Sequence, residues 1–311
     1  MKIVFLSHYF SPHIGGVEKH VLELSKALIK KGHQVTVVTQ NYDNLKDIDM
    51  VDKIKIIRFS YPKKKFIGLI FIWIWFWQNR NILLSADIIH IHDVFIWYLP
   101  FRFIFPSRKV YLTIHGLEWN NPFSMSGILQ KKLALKLSKK SIGIGKFLEK
   151  YLSVKFDTIS YGATNIPKNK IKKRKKIIVF VGRLARDTGV IEFLNYLKKH
   201  KNLKAVFIGD GDYKNQCQKY GEVRGFTNSQ KFIENAGVLV PGGYLTCLEG
   251  FAAKCKIKIF ISNDLKRDYW QLSPMYKFIK DDNIKEAYNW VKNQTWEKLA
   301  DEYLNLYNST K

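Results

Sequence analysis

The sequence predicts an α/β protein of two doubly wound domains with a cleft between them. Three observations lead there. Apolar runs of strand length alternate with helical patterns in two separate series. The length, 311 residues, suits two domains of roughly 100–200 residues each. Between the two series, residues 168–176 carry seven cationic side chains and, apart from Ile171, nothing apolar, which reads as a solvated linker. The expected division is 1–167, 168–176 and 177–292, with a final helical segment, 293–311, that packs back on the N-terminal domain.

In the first series, residues 3–7 read as a buried strand, followed by a loop through Gly15 and Gly16. Val17, Val21, Leu24 and Leu28 then repeat at helical spacing, and Gly32 ends the helix after Lys30 and Lys31. Residues 34–39, dense in Val and Thr, form the next strand, and 55–59 a third. Residues 86–93 and 109–113 are further strands, delivering His90, His92 and His115 near their C-terminal ends. That edge is where open α/β sheets place ligands, although each histidine taken alone fits a structural role as well. A helix over 128–139, a strand over 141–145, a helix over 146–152 and a strand over 158–162 complete the half.

The second series restarts at 177–181, followed by Gly182-Arg183-Leu184 and a helix over 189–199. A strand at 205–208 runs into Gly209-Asp210-Gly211-Asp212; 222–225 is extended, and Asn228 caps a helix to 235. Residues 238–240 form a strand that turns through Gly242-Gly243 into a helix opening near Thr246, with Glu249 in its first turn. Strand, glycine turn and helix N-terminus together make an anion site; an ordinary βα turn with a helix-start carboxylate reads the same residues. Residues 256–261 and 275–279 are read as strands, 283–291 and 295–307 as helices.

Residues 66–77 stand apart: twelve unbroken apolar residues, preceded by Lys63-Lys64-Lys65 and followed by Arg80. A spanning helix needs about 20 such residues, so the segment is either a core helix or one lying in a membrane interface. Composition bears on the choice. With 52 Lys+Arg against 26 Asp+Glu the net charge is +26, which attracts anionic lipid, phosphorylated substrates or nucleic acid. Aromatics cluster in this apolar run, which holds three of the eight Trp, and do not interleave there with Arg, so no stacking platform for nucleic acid is apparent. The segment is read first as a core helix, with contact to an anionic membrane through 62–80 as the alternative, and no nucleic-acid partner is expected. Cys217, Cys247 and Cys255 show no zinc spacing or disulfide pattern and suit a reducing cytoplasm. The apolar start, 3–6, is too short for a signal-peptide core.

Several motifs coincide in order: "FSPHIGGVEKHVLELSKALIKKGHQVTVVT", "ADIIHIHD", "YLTIHG", "FVGRLARDTGV", "FIGDGD" and "WEKLADEYLNLY". Together they resemble, nearly end to end, the family-four retaining glycosyltransferases, which have two Rossmann-like domains facing a cleft (the glycosyltransferase B fold). The resemblance implies a metal-independent hexosyl transfer from a UDP- or GDP-linked sugar to a lipid-linked or glycan acceptor, with no further cofactor. It places the enzyme in the cytoplasm or on the inner face of the cell membrane. Gly15 and Gly16 would let the loop approach the donor pyrophosphate. Arg183 would fork onto the diphosphate and stabilise the leaving group, and His115 would sit under the sugar. Gly209 and Gly211 would belong to the donor site; Val223 and Gly225 would lie beside the base. Gly243, Tyr244 and Leu245 would offer backbone N–H groups to the phosphates, and Glu249 would accept from the ribose.

The chain departs from the family pattern in three places. The family carries two Glu residues eight positions apart; Glu249 matches the second, and Pro241 stands at the first. Thr188 replaces the family's diphosphate-binding Lys before Gly189, with Lys254 and Lys256 as substitutes to consider. The Gly-x-Pro turn after the second Glu is absent. These losses leave open a non-catalytic descendant that binds nucleotide sugar as a scaffold subunit.

Overall fold

The computed structural model describes residues 1–117, 125–167 and 177–309. The basic segment 168–176 lies outside them. The chain divides into two compact units: Met1–Ile144, Leu148–Ser160 and the chain from Leu299 on form the first, and Gly145–Phe147 with Tyr161–Lys298 form the second.

The first unit is built in the order β1 (Lys2–Ser7), α1 (Gly16–Lys30), β2 (Gln34–Gln40), β3 (Ile48–Val51), β4 (Ile54–Phe59), α2 (Lys65–Gln78), α3 (Asn81–Leu84), β5 (Ile88–His92), α4 (Phe95–Ile104), β6 (Val110–Ile114), α5 (Met125–Leu137), β7 (Lys140–Ile144), α6 (Phe147–Leu152) and β8 (Thr158–Ser160). Its sheet has the order β3-β4-β2-β1-β5-β6-β7-β8. Every neighbouring pair is parallel except β3 with β4. Parallel strands are covered on both faces, so they read as continuous apolar runs: Ile3–Leu6 and Ile88–Ile91 are buried throughout. β3 has no such signature. Its Ile48 and Met50 are exposed, and it exists because Asp52 and Lys53 adopt φ of 51° and 66°, the left-handed pair that closes a tight hairpin onto β4.

The second unit runs β9 (Ile177–Val181), α7 (Val190–Lys199), β10 (Lys204–Ile208), α8 (Lys214–Gln218), β11 (Gly221–Val223), α9 (Gln230–Asn235), β12 (Val238–Pro241), α10 (Tyr244–Ala252), β13 (Lys256–Ile257), α11 (Asp264–Gln271), α12 (Met275–Lys280) and α13 (Ile284–Val291). Its five parallel strands take the order β11-β10-β9-β12-β13. Phe180, Phe193, Phe207 and Leu184 are fully buried in the core on one face. This is a Rossmann-like arrangement in both units: the first β-strand of each is flanked by strands that follow it on opposite sides.

Three expectations are corrected. Residues 275–279 form a helix, α12, entered through Ser273 and Pro274; a short apolar run does not separate strand from helix by itself, and Pro at a helix start favours the latter. The strand read at 256–261 is confined to Lys256–Ile257. The first unit ends at Ser160, before 167, because Tyr161 packs edge-on against Tyr244 (5.2 Å) and the Thr164 N–H donates to the Gln294 carbonyl (2.9 Å), both within the second unit. The last helix, α14 (Trp296–Asn308), returns the chain from Leu299 on to the first unit, where Tyr303 and Tyr307 are buried.

α2 is half core and half exposed. Phe76 is fully buried, Trp75 stacks on Phe59 at 4.5 Å, and the Trp73 indole N–H donates to the Ile96 carbonyl at 2.9 Å. The other face presents Phe66, Ile67, Ile70, Phe71, Ile74 and Trp77, all exposed. No helix among the described residues is long and apolar enough to cross a membrane.

Candidate functional site

In the second unit, β9, β10 and β12 release their loops side by side at the C-terminal edge of the sheet. Gly182 follows β9, Gly209 follows β10 and Gly242 follows β12. The loops touch backbone to backbone. A Cβ on Gly209 would lie 2.0 Å from the Gly182 carbonyl oxygen, and one on Gly182 would lie 2.9 Å from Gly242 Cα. Gly209 also has φ of 143°, which side-chain-bearing residues rarely adopt. These glycines make a close-packed floor. Gly211 belongs to it, pressed against the Leu184 carbonyl.

Two cations stand over that floor. Arg183, directly after Gly182, is more than half exposed and its Nη2 donates to Asp187 Oδ2 at 2.7 Å. Lys266, from α11, is buried and its ammonium donates to the Gly242 carbonyl at 2.8 Å. Asn263 starts α11 by accepting from the Lys266 N–H, which fixes where that side chain leaves the helix. Burial lowers the Lys266 pKa to about 8, with Asp187 raising it and Arg183 lowering it in turn. Lys266 was missed in the sequence because its position lies far outside the expected motif; Lys256, one substitute considered there, pairs instead with Asp282.

The α10 terminus differs from the sequence reading. The helix opens at Tyr244, so Glu249 sits in the second turn and is buried. The Tyr244 N–H, expected to face a phosphate, donates to the Tyr269 hydroxyl at 2.7 Å, and the two rings stack with centroids 3.8 Å apart. Tyr269 also stands near Gly243, where an added Cβ would meet its hydroxyl at 3.2 Å. Leu245 lies in the same first turn. Val223 packs on the core of the unit, and Gly225 accepts a hydrogen bond from the Gly209 N–H at 2.8 Å, so this segment braces the β10 loop.

In the first unit, Gly15 caps α1 and Gly16 begins it. The Glu18 carboxylate folds back over this turn: a Cβ on Gly15 would lie 2.2 Å from Glu18 Oε2, and Glu18 Oε1 is 2.8 Å from His13 Nδ1. The helix N-terminus is thus already faced by a carboxylate of its own chain.

His115, just past β6, is half-buried. Its Nε2 lies 2.9 Å from His92 Nδ1, and its backbone N–H donates to Asp93 Oδ1 at 3.1 Å. Among the described residues, His92 Nε2 is buried with no hydrogen-bond partner. A bare acceptor is less costly there than a bare N–H, so His92 carries its proton on Nδ1 and donates to His115. His115 then carries its own proton on Nδ1. Burial, with Lys131 nearby, depresses the His115 pKa to about 3, so the ring is neutral.

Behind this pair lies an aromatic network. His90 Nε2 meets Thr113 Oγ1 at 2.7 Å, His90 Nδ1 meets the Tyr307 hydroxyl at 2.8 Å, and His20 Nε2 meets the Tyr303 hydroxyl at 3.0 Å. Burial holds His20, His90 and His92 well below the ordinary histidine pKa. His90 is therefore structural, tying α14 to the sheet, while His92 and His115 stand at the edge. His20 was invisible in the sequence, lying inside a helical pattern. Among the described residues, no group of three or more His, Cys, Asp or Glu is placed to hold a metal ion.

Comparison with known proteins follows the same division. The model of Glycosyltransferase Family 4 matches residues 14–156, and that of Glycosyl transferases group 1 matches residues 163–238. An uncharacterized glycosyltransferase of Methanocaldococcus jannaschii is 26% identical over 81% of this chain and 78% of its own. One subunit of human phosphatidylinositol N-acetylglucosaminyltransferase is 48% identical over 46 residues, 15% of this chain; the match spans only 10% of that relative's length, as does the match to the Arabidopsis thaliana protein of the same name. Among solved structures, sucrose-phosphate synthase from Thermosynechococcus elongatus superposes with a TM-score of 0.74 at 15% identity, covering 98% of both chains. Anabaena HepE, solved with UDP and glucose, gives 0.69 at 13% identity, covering 98% of this chain and 99% of its own.

Proposed function

The chain belongs to the family-four glycosyltransferases of the two-domain B fold, and from that premise we propose that it moves a hexose from a UDP- or GDP-linked donor to a lipid-linked acceptor. In this reading the anomeric configuration is retained, no metal takes part, and the reaction runs on the inner face of the cell membrane. The observation that carries it is the pair Arg183 and Lys266 above the glycine floor of the second unit. Two cations at one sheet edge match a diphosphate, and they supply the charge a metal would otherwise bring. UDP beside glucose in the HepE structure supports the same ligand class.

The reading assigns a role to each of the residues. Arg183 leaves Asp187 for the diphosphate or bridges both, and Lys266 takes the place of the absent family Lys at Thr188. Glu249 contacts the ribose, and Val223 and Gly225 line the base. The Gly243–Leu245 turn contributes through Gly243 and Leu245, since the Tyr244 amide is engaged by Tyr269. His115, neutral and protonated on Nδ1, donates to a sugar hydroxyl. Residues 1–160 serve the acceptor side. The exposed apolar face of α2, flanked by Lys63, Lys64 and Arg80, rests on anionic lipid, each basic residue near the surface adding about 1 kcal/mol.

Incubating purified protein with a panel of UDP- and GDP-sugars and lipid acceptors tests this. One donor is turned over in the presence of a chelator, with an α-configured product from an α-linked donor. Folded protein that neither binds nor hydrolyses any donor refutes the reading. The second reading, a nucleotide-binding subunit without transfer, gains from Pro241 at the expected carboxylate and from Tyr269 over the α10 terminus. Binding without turnover, restored by a partner protein, selects it.

A further inference from the structure

α2, α4 and α5 lie side by side on one face of the first unit's sheet. None of the three contains an acidic residue. Most of the large apolar side chains exposed among the described residues lie on them: the α2 face, Phe103 and Ile104 of α4, and Met125, Leu129 and Leu133 of α5. Arg80 stacks over Trp77 at 5.1 Å, and Lys131, Lys132 and Lys136 punctuate α5. A continuous apolar face with cations and no anions suits a bilayer of anionic lipid better than a protein groove.

Between α4 and α5 this face is breached by a cavity of about 120 Å³. Phe95, Ile96 and Leu99 form one wall, Leu133 and Ala134 the other, and Leu112 and Ile114 of β6 the floor. Ile96 and Leu99 are only half-buried, and Leu133 is exposed at the rim. The other end of the cavity is polar. Asp93 and Lys131 stand there with Nζ and Oδ1 3.5 Å apart, and that same Asp93 oxygen accepts the His115 N–H. The lining therefore changes from hydrocarbon at the exposed face to hydrogen-bonding groups beside His115.

We propose that this cavity seats the hydrocarbon chain adjoining the head of a lipid acceptor, with the hydroxylated head at the polar end formed by Asp93 and Lys131. The proposal rests on the lipid-acceptor reading above and gives it a location. A single chain leaves the bilayer between α4 and α5, and its first carbons replace solvent against Ile96, Leu99 and Leu133. Recognition is by amphiphile shape: an apolar chain with a neutral, hydroxyl-bearing head.

Alkyl β-D-glucosides, each kept below its micelle concentration, are probes of this arrangement. Calorimetric titration of the whole protein with the butyl, hexyl and octyl compounds gives affinities that rise about fourfold per methylene while the cavity fills. Ile96→Trp fills the cavity and weakens octyl glucoside at least tenfold; Leu133→Trp, at the exposed rim, does the same and decides the matter where Ile96→Trp fails to fold. Affinity independent of chain length, or equal affinity in wild type and a folded blocked variant, overturns the cavity. Co-sedimentation of wild type with vesicles of phosphatidylglycerol and phosphatidylcholine separates the two claims. Chain-dependent binding without vesicle binding leaves the cavity standing and removes the bilayer; vesicle binding without chain dependence does the reverse.

Discussion

The C-terminal edges of the two sheets have been filled in opposite ways. In the second unit the edge is backbone: Gly182, Gly209 and Gly242 bring three loops into contact, and Arg183 and Lys266 stand above them. In the first unit the edge is rings: His92 and His115, held uncharged by burial, backed by the network of His20, His90, Tyr303 and Tyr307. The contrast separates the tasks. Under the proposed function, charge and backbone amides would serve a diphosphate in the second unit, and neutral donors a sugar or acceptor hydroxyl in the first. One fold serves both because strand ends fix position while loop residues set the chemistry.

The contrast is broken most severely at the glycines. Gly209→Ala places a methyl 2.0 Å from the Gly182 carbonyl at a left-handed φ, and should destabilise the second unit by about 3 kcal/mol or more. Gly16→Ala, with nothing within 4 Å of the added Cβ, should change stability by less than about 0.5 kcal/mol. Thermal or urea unfolding of the two variants measures both. Comparable losses would remove the packing role of the floor.

Next come the cations. Arg183→Ala and Lys266→Met each delete a charged hydrogen-bonding group and should weaken nucleotide diphosphate binding by about tenfold to a hundredfold. Lys199→Ala, on an exposed helix end, should leave it unchanged. Calorimetric titration with UDP and GDP reads the difference.

The first unit answers to acid. His20, His90 and His92 are depressed below the unfolded value of 6.5, so the unfolded chain binds more protons below that pH. Their contribution is complete above pH 6.5 and is lost as pH falls, approaching about 1.4 kcal/mol per pH unit for each site. Unfolding followed at pH 7 and pH 5 should show this loss, and His90→Asn should reduce it. A stability that is flat over this range would mean that the rings accept charge where they stand. The smallest effect concerns α2. Ile70→Glu and Ile74→Glu, on its exposed face, should lower vesicle co-sedimentation severalfold without altering the unfolding midpoint.

Much of the fold was legible because buried parallel strands write themselves as continuous apolar runs: β1, β5, β6, β9 and β10 could be read directly. Edge and transitional elements could not. β3 is held by a turn and not by its own pattern, and Met275–Lys280 is too short for periodicity to choose a helix. The candidate site was legible as loops and less so as contacts. The motif order pointed to Arg183, His115 and the glycines as candidates, and no motif contains Lys266, which reaches Gly242 from α11. Nor does any local pattern reveal that the Tyr269 hydroxyl engages the Tyr244 amide from 25 positions away. Such pairings belong to tertiary structure, since residues far apart in sequence carry no shared period.

The pH dependence of nucleotide diphosphate affinity tests the central claim most directly. Lys266 titrates near 8 in the unliganded protein, and an anionic diphosphate beside its ammonium raises that value. Binding above pH 8 therefore takes up a proton, and wild-type affinity should be flat up to about pH 7 and fall, by as much as tenfold per unit, as pH rises through 8 to 9. Lys266→Met should bind more weakly and show no such fall. A wild-type affinity that is level from pH 7 to 9, or the same decline in Lys266→Met, would contradict the assignment of Lys266 and Arg183 to the donor diphosphate.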